Sequence, residues 1–388
     1  MFKIRTMNKI SPLGLELFSR DKYEVASDIP NPDAIVVRSA DLNSVEIPVN
    51  VLAIARAGAG YNNIPVQACS SRGIAVFNTP GGNANAVKEL AIAAMLLSSR
   101  NIAGGIAWCK TIAGKADEVP DIVEKEKAKF EGPELTGKVL GIVGLGAIGV
   151  LVAEDAVAMG MHVIGYDPFI SVEGAWGLGK AVARAETLEG LLARSDYISL
   201  HLPLSQDTKA ILNGEKLKYA KKGARIINLA RGGLVNDADM IAALNSGHVA
   251  SYVTDFPNAE LLANPKVICI PHLGASTPEA EDNCAVMAVR QLMDYLETGA
   301  ILNSVNLPRC RLDRGSSNRL IAINRNIPNM VGQITTILAA ANINILDLIN
   351  HHRDDYAYNI IDTAQQIPAA ALEQLKKVEG IIRVRTIA

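Results

Sequence analysis

Short apolar runs closed by polar or glycine residues recur along the chain: Ala34-Ile35-Val36-Val37 before Arg38, Val51-Leu52-Ala53-Ile54-Ala55 before Arg56, and Ile74-Ala75-Val76-Phe77 before Asn78. Four or five consecutive apolar residues without alternation predict strands buried on both faces of a parallel sheet, with loops at their carboxyl ends. A long, largely buried helix is predicted over 87–100. Between 110 and 138 charge dominates, as in Glu124-Lys125-Glu126-Lys127, which predicts a solvated helix face and connector that carries no chemistry. Apolar runs then return at 139–143, 163–166, 197–200, 224–228, 253–254 and 267–270 between helical stretches, the signature of a second doubly wound sheet. A helix over 276–298 is expected to return to the first domain and make it discontinuous. After a linker over 301–314, the tail reads strand 320–323, helix 331–341, strands 345–350 and 356–362, helix 369–377 and strand 381–386. That βαββαβ order predicts a small ferredoxin-like sandwich.

The predicted fold class is therefore α/β, with two doubly wound parallel-sheet domains and a C-terminal βαββαβ domain. The expected boundaries are 1–97 with 276–306 for the first domain, 98–275 for the second and 316–388 for the third. Composition agrees: 388 residues, 49% of them hydrophobic, suffice for more than one core. A net charge of -2 gives no footprint for nucleic acid or an anionic membrane, which leaves small molecules and copies of the chain itself as partners. Cys69, Cys109, Cys269, Cys284 and Cys310 form no CxxC pair, so free thiols in a reducing compartment are expected, and no metal site. The opening Met1-Phe2-Lys3-Ile4-Arg5 soon turns polar, unlike a signal peptide. The most apolar stretch, 139–153, is too short and glycine-interrupted to span a bilayer. A cytoplasmic protein is the expectation.

Gly144-x-Gly146-x-x-Gly149 follows the predicted strand 139–143 and opens an Ala- and Val-rich helix that includes Ala147 and Ile148. The first glycine permits the tight turn, the second lets backbone approach a pyrophosphate, and the third lets helix pack on strand. The next strand ends at Tyr166-Asp167, which puts a carboxylate where adenosine ribose hydroxyls would sit. Such a carboxylate repels a 2′-phosphate, and Pro168-Phe169-Ile170-Ser171 supplies no cation to reverse this. A Rossmann-type site for NAD rather than NADP is predicted.

Three charged residues close the later apolar runs: Arg231 after 224–228, Glu260 after 253–254, and His272 after 267–270. A guanidinium can hold a carboxylate through two parallel hydrogen bonds. An imidazole can take the proton of a C2 hydroxyl while hydride leaves that carbon, and a nearby carboxylate would orient the ring. Together they fit oxidation of an anionic hydroxy acid.

These residues sit in longer stretches, Arg56-Ala57-Gly58-Ala59-Gly60, Phe77-Asn78-Thr79-Pro80-Gly81-Gly82-Asn83, His201-Leu202-Pro203-Leu204, Asn228-Leu229-Ala230-Arg231-Gly232 and Pro271-His272-Leu273-Gly274. Through them the chain resembles the D-2-hydroxyacid dehydrogenase family, and within it the members that oxidise 3-phosphoglycerate to 3-phosphohydroxypyruvate at the start of serine synthesis. The resemblance implies Arg231 for the substrate carboxylate, Glu260 paired with His272, and His272 as acid and base. It implies cofactor contacts from His201, Pro203, Thr208, Ala230, Asp255 and Gly274, and a homodimer or homotetramer. It also implies that Arg38, Ser39, Arg56, Gly58 and Asn83 hold the substrate phosphate. A phosphorylated acid carries roughly three negative charges, more than one arginine offsets. An enzyme for an unphosphorylated acid, or a non-catalytic NAD-sensing protein of the same fold, are the alternative readings.

The tail resembles the ACT regulatory domain, in Ile323-Asn324-Arg325-Asn326-Ile327-Pro328-Asn329 and Asn342-Ile343-Asn344-Ile345. That resemblance implies an amino-acid effector, serine, held by the amides of Asn324, Asn326 and Asn344.

Overall fold

The computed structural model describes residues 1–315 and 318–387, so the predicted start of the C-terminal domain at 316 falls outside the described residues. The chain divides into two compact units, Met1–Asn83 with Pro278–Ala388, and Ala84–Thr277.

In the first unit five parallel strands, β1 (Phe2–Met7), β2 (Tyr23–Ala26), β3 (Ala34–Val37), β4 (Ala53–Arg56) and β5 (Ala75–Phe77), run in the order β2-β1-β3-β4-β5. Their apolar runs are buried on both faces, as expected for a covered parallel sheet. Ile35, Val37, Ile54 and Val76 meet Leu42, Val51, Ile64 and Cys69 on one side. Val36, Ala53, Ala55 and Phe77 meet Ala285, Ala288, Val289 and Leu292 of the helix Pro278–Thr298 on the other. β1 and β2 are not in the sequence prediction. Phe2-Lys3-Ile4-Arg5-Thr6-Met7 mixes charge with apolar residues, and only Ile4 is fully buried.

The second unit holds seven parallel strands: β6 (Val139–Val143), β7 (His162–Tyr166), β8 (Val182–Arg184), β9 (Tyr197–Leu200), β10 (Ala224–Asn228), β11 (Val249–Thr254) and β12 (Val267–Cys269). Their order, β12-β11-β10-β9-β6-β7-β8, changes direction between β6 and β9. Ligands of open α/β sheets bind beyond the carboxyl ends of strands at such a switch point.

The C-terminal strands β13 (Asn318–Arg325), β14 (Ile345–Arg353), β15 (Tyr356–Thr363) and β16 (Ile381–Ile387) form an antiparallel sheet in the order β14-β15-β13-β16. With the helices Met330–Ala340 and Ala369–Lys376 this is the predicted βαββαβ sandwich. Leu320, Ala322 and Ile361 face those helices through Ile334, Leu338 and Leu375. The opposite face, Ile321, Ile323, Tyr358 and Ile360, continues the core of the first unit with Tyr295 and Leu296. Arg385 stacks on the Tyr295 ring at 4.5 Å, and Arg383 donates to the Val51 carbonyl at 2.7 Å. Arg319 and Asp362 form a fully buried bidentate pair at 2.6 and 2.9 Å, whose remaining guanidinium hydrogens go to the carbonyls of Thr298, Leu312 and Asp313. Among the described residues no single helix is long and apolar enough to cross a membrane.

Candidate active site

The glycine loop after β6 has the geometry its sequence predicts. Gly144 has φ +97°, and a Cβ there would stand 2.6 Å from the His201 carbonyl oxygen. A Cβ on Gly149 would collide with the Gly144 carbonyl oxygen, so the helix Ala147–Ala158 starts tight against the loop. Gly146, the N-cap, has open space on its side-chain side. That opening, beside the exposed amides of a helix start, suits a pyrophosphate. Asp167, one residue past β7, accepts from Leu145 N at 2.8 Å and from Phe169 N at 2.9 Å. The carboxylate thus braces the glycine loop, and its remaining lone pairs can accept from ribose hydroxyls.

Beyond β9 lies the loop that carries His201, Pro203 and Thr208. His201 Nε2 is 2.9 Å from Ser199 Oγ, its Nδ1 is buried without a partner, and burial pushes its pKa down to about 4. A neutral imidazole is what such a site tolerates. Thr208 Oγ1 donates to the Pro203 carbonyl at 2.6 Å and closes the loop.

The ends of β10, β11 and β12 hold the charged groups. Asn228, almost fully buried, donates to the Arg231 carbonyl at 3.0 Å and accepts from Ala230 N at 3.2 Å, which folds the segment after β10 so that Arg231 is exposed. Asp255 directly follows β11 and is 1% exposed, yet neither carboxylate oxygen has a hydrogen-bond partner. Burial raises its pKa, against the charge of His272, the nearby Gly274 backbone and the charge of Arg231. His272, three residues past β12, has φ +47°, and its ring lies 4.9 Å from that of Phe256. Glu260 stands apart from this group. It is exposed in the first turn of the short helix Ala259–Leu262, and its charge acts on Asp237, whose pKa is raised by burial first and by Glu260 after it. Among the described residues no hydrogen bond joins Glu260 to His272.

In the first unit, Arg38 directly follows β3 and Arg56 ends β4. Arg38 Nη2 is ion-paired with Glu281 Oε1 of the helix Pro278–Thr298 at 2.6 Å. The Arg56 guanidinium lies over Gly58, where a Cβ would collide with Nη1. Ser39 is exposed, and Asn83 is half-buried. In the tail, Asn324 is buried with both ends of its amide engaged: Oδ1 accepts from Asn359 Nδ2 at 2.7 Å, and Nδ2 donates to the Arg325 carbonyl at 2.7 Å. Asn326 Nδ2 donates to the Asp354 carbonyl at 3.2 Å, and Asn344 N donates to Gln365 Oε1 at 3.0 Å.

Residues 92–274 match the family described as D-isomer specific 2-hydroxyacid dehydrogenase, NAD binding domain. The match lies within the second unit. The chain as a whole is 33% identical over 331 residues to the D-3-phosphoglycerate dehydrogenase of Bacillus subtilis, covering 81% of this chain and 60% of the relative. It is 35% identical over 297 residues to the enzyme of the same name from Archaeoglobus fulgidus, covering 74% of this chain and 54% of the relative. The chain thus spans little more than half the length of these two curated relatives. A crystal structure of NAD+-bound 3-phosphoglycerate dehydrogenase from Entamoeba histolytica superposes with a TM-score of 0.61 at 28% identity, over 79% of this chain and 98% of that one. A glyoxylate reductase from Paecilomyes thermophila superposes with a TM-score of 0.63 at 28% identity, over 78% and 98%. Within the matched region, Asp255 and Gly274 pack together, since Gly274 would carry a Cβ 3.3 Å from Asp255 Oδ2. Sequence reading singles out Arg231 and His272 by their positions after strands. It assigns nothing to Asn228 or Phe256 individually, because their contacts form across loops and leave no spacing signal.

Proposed function

We propose that this protein is an NAD-dependent D-2-hydroxyacid dehydrogenase that oxidises 3-phosphoglycerate to 3-phosphohydroxypyruvate, the first committed step of serine synthesis. The observation that carries the reading is the convergence of Arg231, Asp255 and His272 beyond three adjacent strands of the sheet that bears the glycine loop. NAD, when bound, accepts the hydride from C2. Arg231 holds the substrate carboxylate through paired hydrogen bonds and draws charge toward the neighbouring oxygen. His272 takes the hydroxyl proton, so that the alcohol becomes a ketone with one proton left on the imidazole. The unpartnered, buried carboxylate of Asp255 suits an amide N–H donor such as that of a nicotinamide carboxamide. The pairing of Glu260 with His272 rests on resemblance alone. Arg38, Ser39, Arg56, Gly58 and Asn83 are assigned to the phosphate, supported by two arginines at adjacent strand ends and by the names of the relatives.

One observation favours a second reading, an unphosphorylated D-2-hydroxy acid as substrate. Glu281 already neutralises part of the Arg38 charge. We assign the tail as an ACT domain that takes serine and serves assembly into a homodimer or homotetramer. The internal bonds of Asn324 leave Asn326 and Asn344 as the main contacts. NADH formation followed at alkaline pH with 3-phosphoglycerate, D-glycerate and D-lactate, with and without serine, tests all of this. Turnover confined to the phosphorylated acid supports the first reading, turnover of the others the second. Absence of turnover with tight NAD binding supports a non-catalytic NAD sensor.

A further inference from the structure

Arg231 and His272 are both exposed on loops, and Glu260, the carboxylate assigned to orient the imidazole, makes no hydrogen bond to it among the described residues. Phe256 lies between the two loops. Its backbone N–H donates to Thr254 Oγ1 at 3.2 Å, which ties it to the end of β11. On one side its Cβ and Cγ lie 3.5 Å from where a Cβ on Gly232, the residue after Arg231, would stand. On the other its ring meets His272 with centroids 4.9 Å apart and planes at 60°. His272 holds φ +47°, a conformation that is unfavourable for a non-glycine residue and needs support from its surroundings.

We propose that Phe256 is a positioning residue for His272, fixing the plane of the imidazole by aromatic contact while its other side packs on the turn that carries Arg231. The assignment rests on the dehydrogenase reading above. A tilted aromatic pair restricts ring rotation without occupying either imidazole nitrogen. The charges of His272 and Arg231 act on Asp255, at the end of β11, while the charge of Glu260 acts on Asp237. The Phe256 ring gives the imidazole a direct neighbour that can fix its orientation.

The test compares Phe256→Leu with Phe256→Tyr. In F256L, kcat should fall about 10-fold with KM for acid and NAD within about 2-fold of wild type, as expected when orientation rather than binding is lost. F256Y keeps the ring and should stay within about 2-fold of wild type in every parameter. Proton NMR of the His272 ring, assigned with His272→Gln, should show an upfield ring-current displacement in wild type and F256Y that disappears in F256L. An unchanged kcat in F256L, or equal losses in F256L and F256Y, would overturn the positioning role. A missing ring-current displacement in an active wild type would overturn it as well. The displacement seen in a wild type that turns over no hydroxy acid would instead overturn the dehydrogenase reading, and with it any catalytic purpose for the contact.

Discussion

Asp255 is the residue where stability and function pull apart. A buried carboxylate without a hydrogen-bond partner costs on the order of 1–3 kcal/mol, so the fold keeps it at a loss. Its pKa is raised above the ordinary 3.8, which means the folded state holds the proton more tightly than the unfolded chain. The stability it lends is present below that ordinary value and is lost as pH rises through the raised one. Asp255→Asn should therefore melt at a higher temperature than wild type at pH 7, with the gap closing toward pH 4. The same variant should bind NAD several-fold more weakly by titration calorimetry, because an ionised acceptor is replaced by a neutral one. A wild-type affinity would remove Asp255 from the cofactor site. His272 is exposed, so His272→Ala should leave the melting temperature and NAD affinity nearly unchanged while turnover falls by at least about 100-fold. Full activity in that variant would sink the acid–base role.

At the level of elements, the buried ion pair between β13 and β15 makes the sharpest prediction. Arg319 donates to both oxygens of Asp362 and to three carbonyls, so every charge-bearing atom is satisfied. Arg319→Met takes the counter-charge from Asp362, which keeps the hydrogen bond from Gly315 N at 3.3 Å, and should destabilise the first unit by about 3–5 kcal/mol in urea titration. Arg319→Met with Asp362→Leu should recover much of that loss, since replacing both partners is far less costly than breaking the pair. No feature of the chain announces this pair, because the two residues are 43 positions apart and read as ordinary surface charges. The strands, by contrast, are legible wherever both faces are covered, since 34–37 and 139–143 carry no polar side chain and 197–200 and 224–228 are mostly apolar. β1, β2 and the edge strand β8 are not, because Phe2-Lys3-Ile4-Arg5, Tyr23-Glu24-Val25-Ala26 and Val182-Ala183-Arg184 carry charge where neighbours cover them only in part. The tight turn at Gly144 and the close packing at Gly149 are legible, for their constraints are local. The surroundings of Asp255 and the contact between Phe256 and His272 are not, for they depend on which loops meet.

For the molecule as a whole, the C-terminal domain is a continuation of the first unit rather than an appendage. Ile321, Ile323, Tyr358 and Ile360 fill the same core as Ala288, Leu292 and Tyr295. Cutting the chain after residue 314 should expose that surface, and at about 1.5–3 kcal/mol for each buried side chain uncovered the loss exceeds the stability of an ordinary domain. The shortened protein should be insoluble, or bind a hydrophobic dye with no cooperative melting transition for its first unit. A soluble fragment with an intact transition would show the tail to be separable. The sharing of one core by two sheets also bears on how a signal could be read. Amide protons of β13 should exchange with solvent only when the entire first unit opens, at the same slow rate as those of β4. Whatever binds the tail and favours its folded form then lends its binding free energy to the strands that end at Arg38 and Arg56. In such a chain an effector needs no moving lever, since it can act by altering how often the whole unit comes apart.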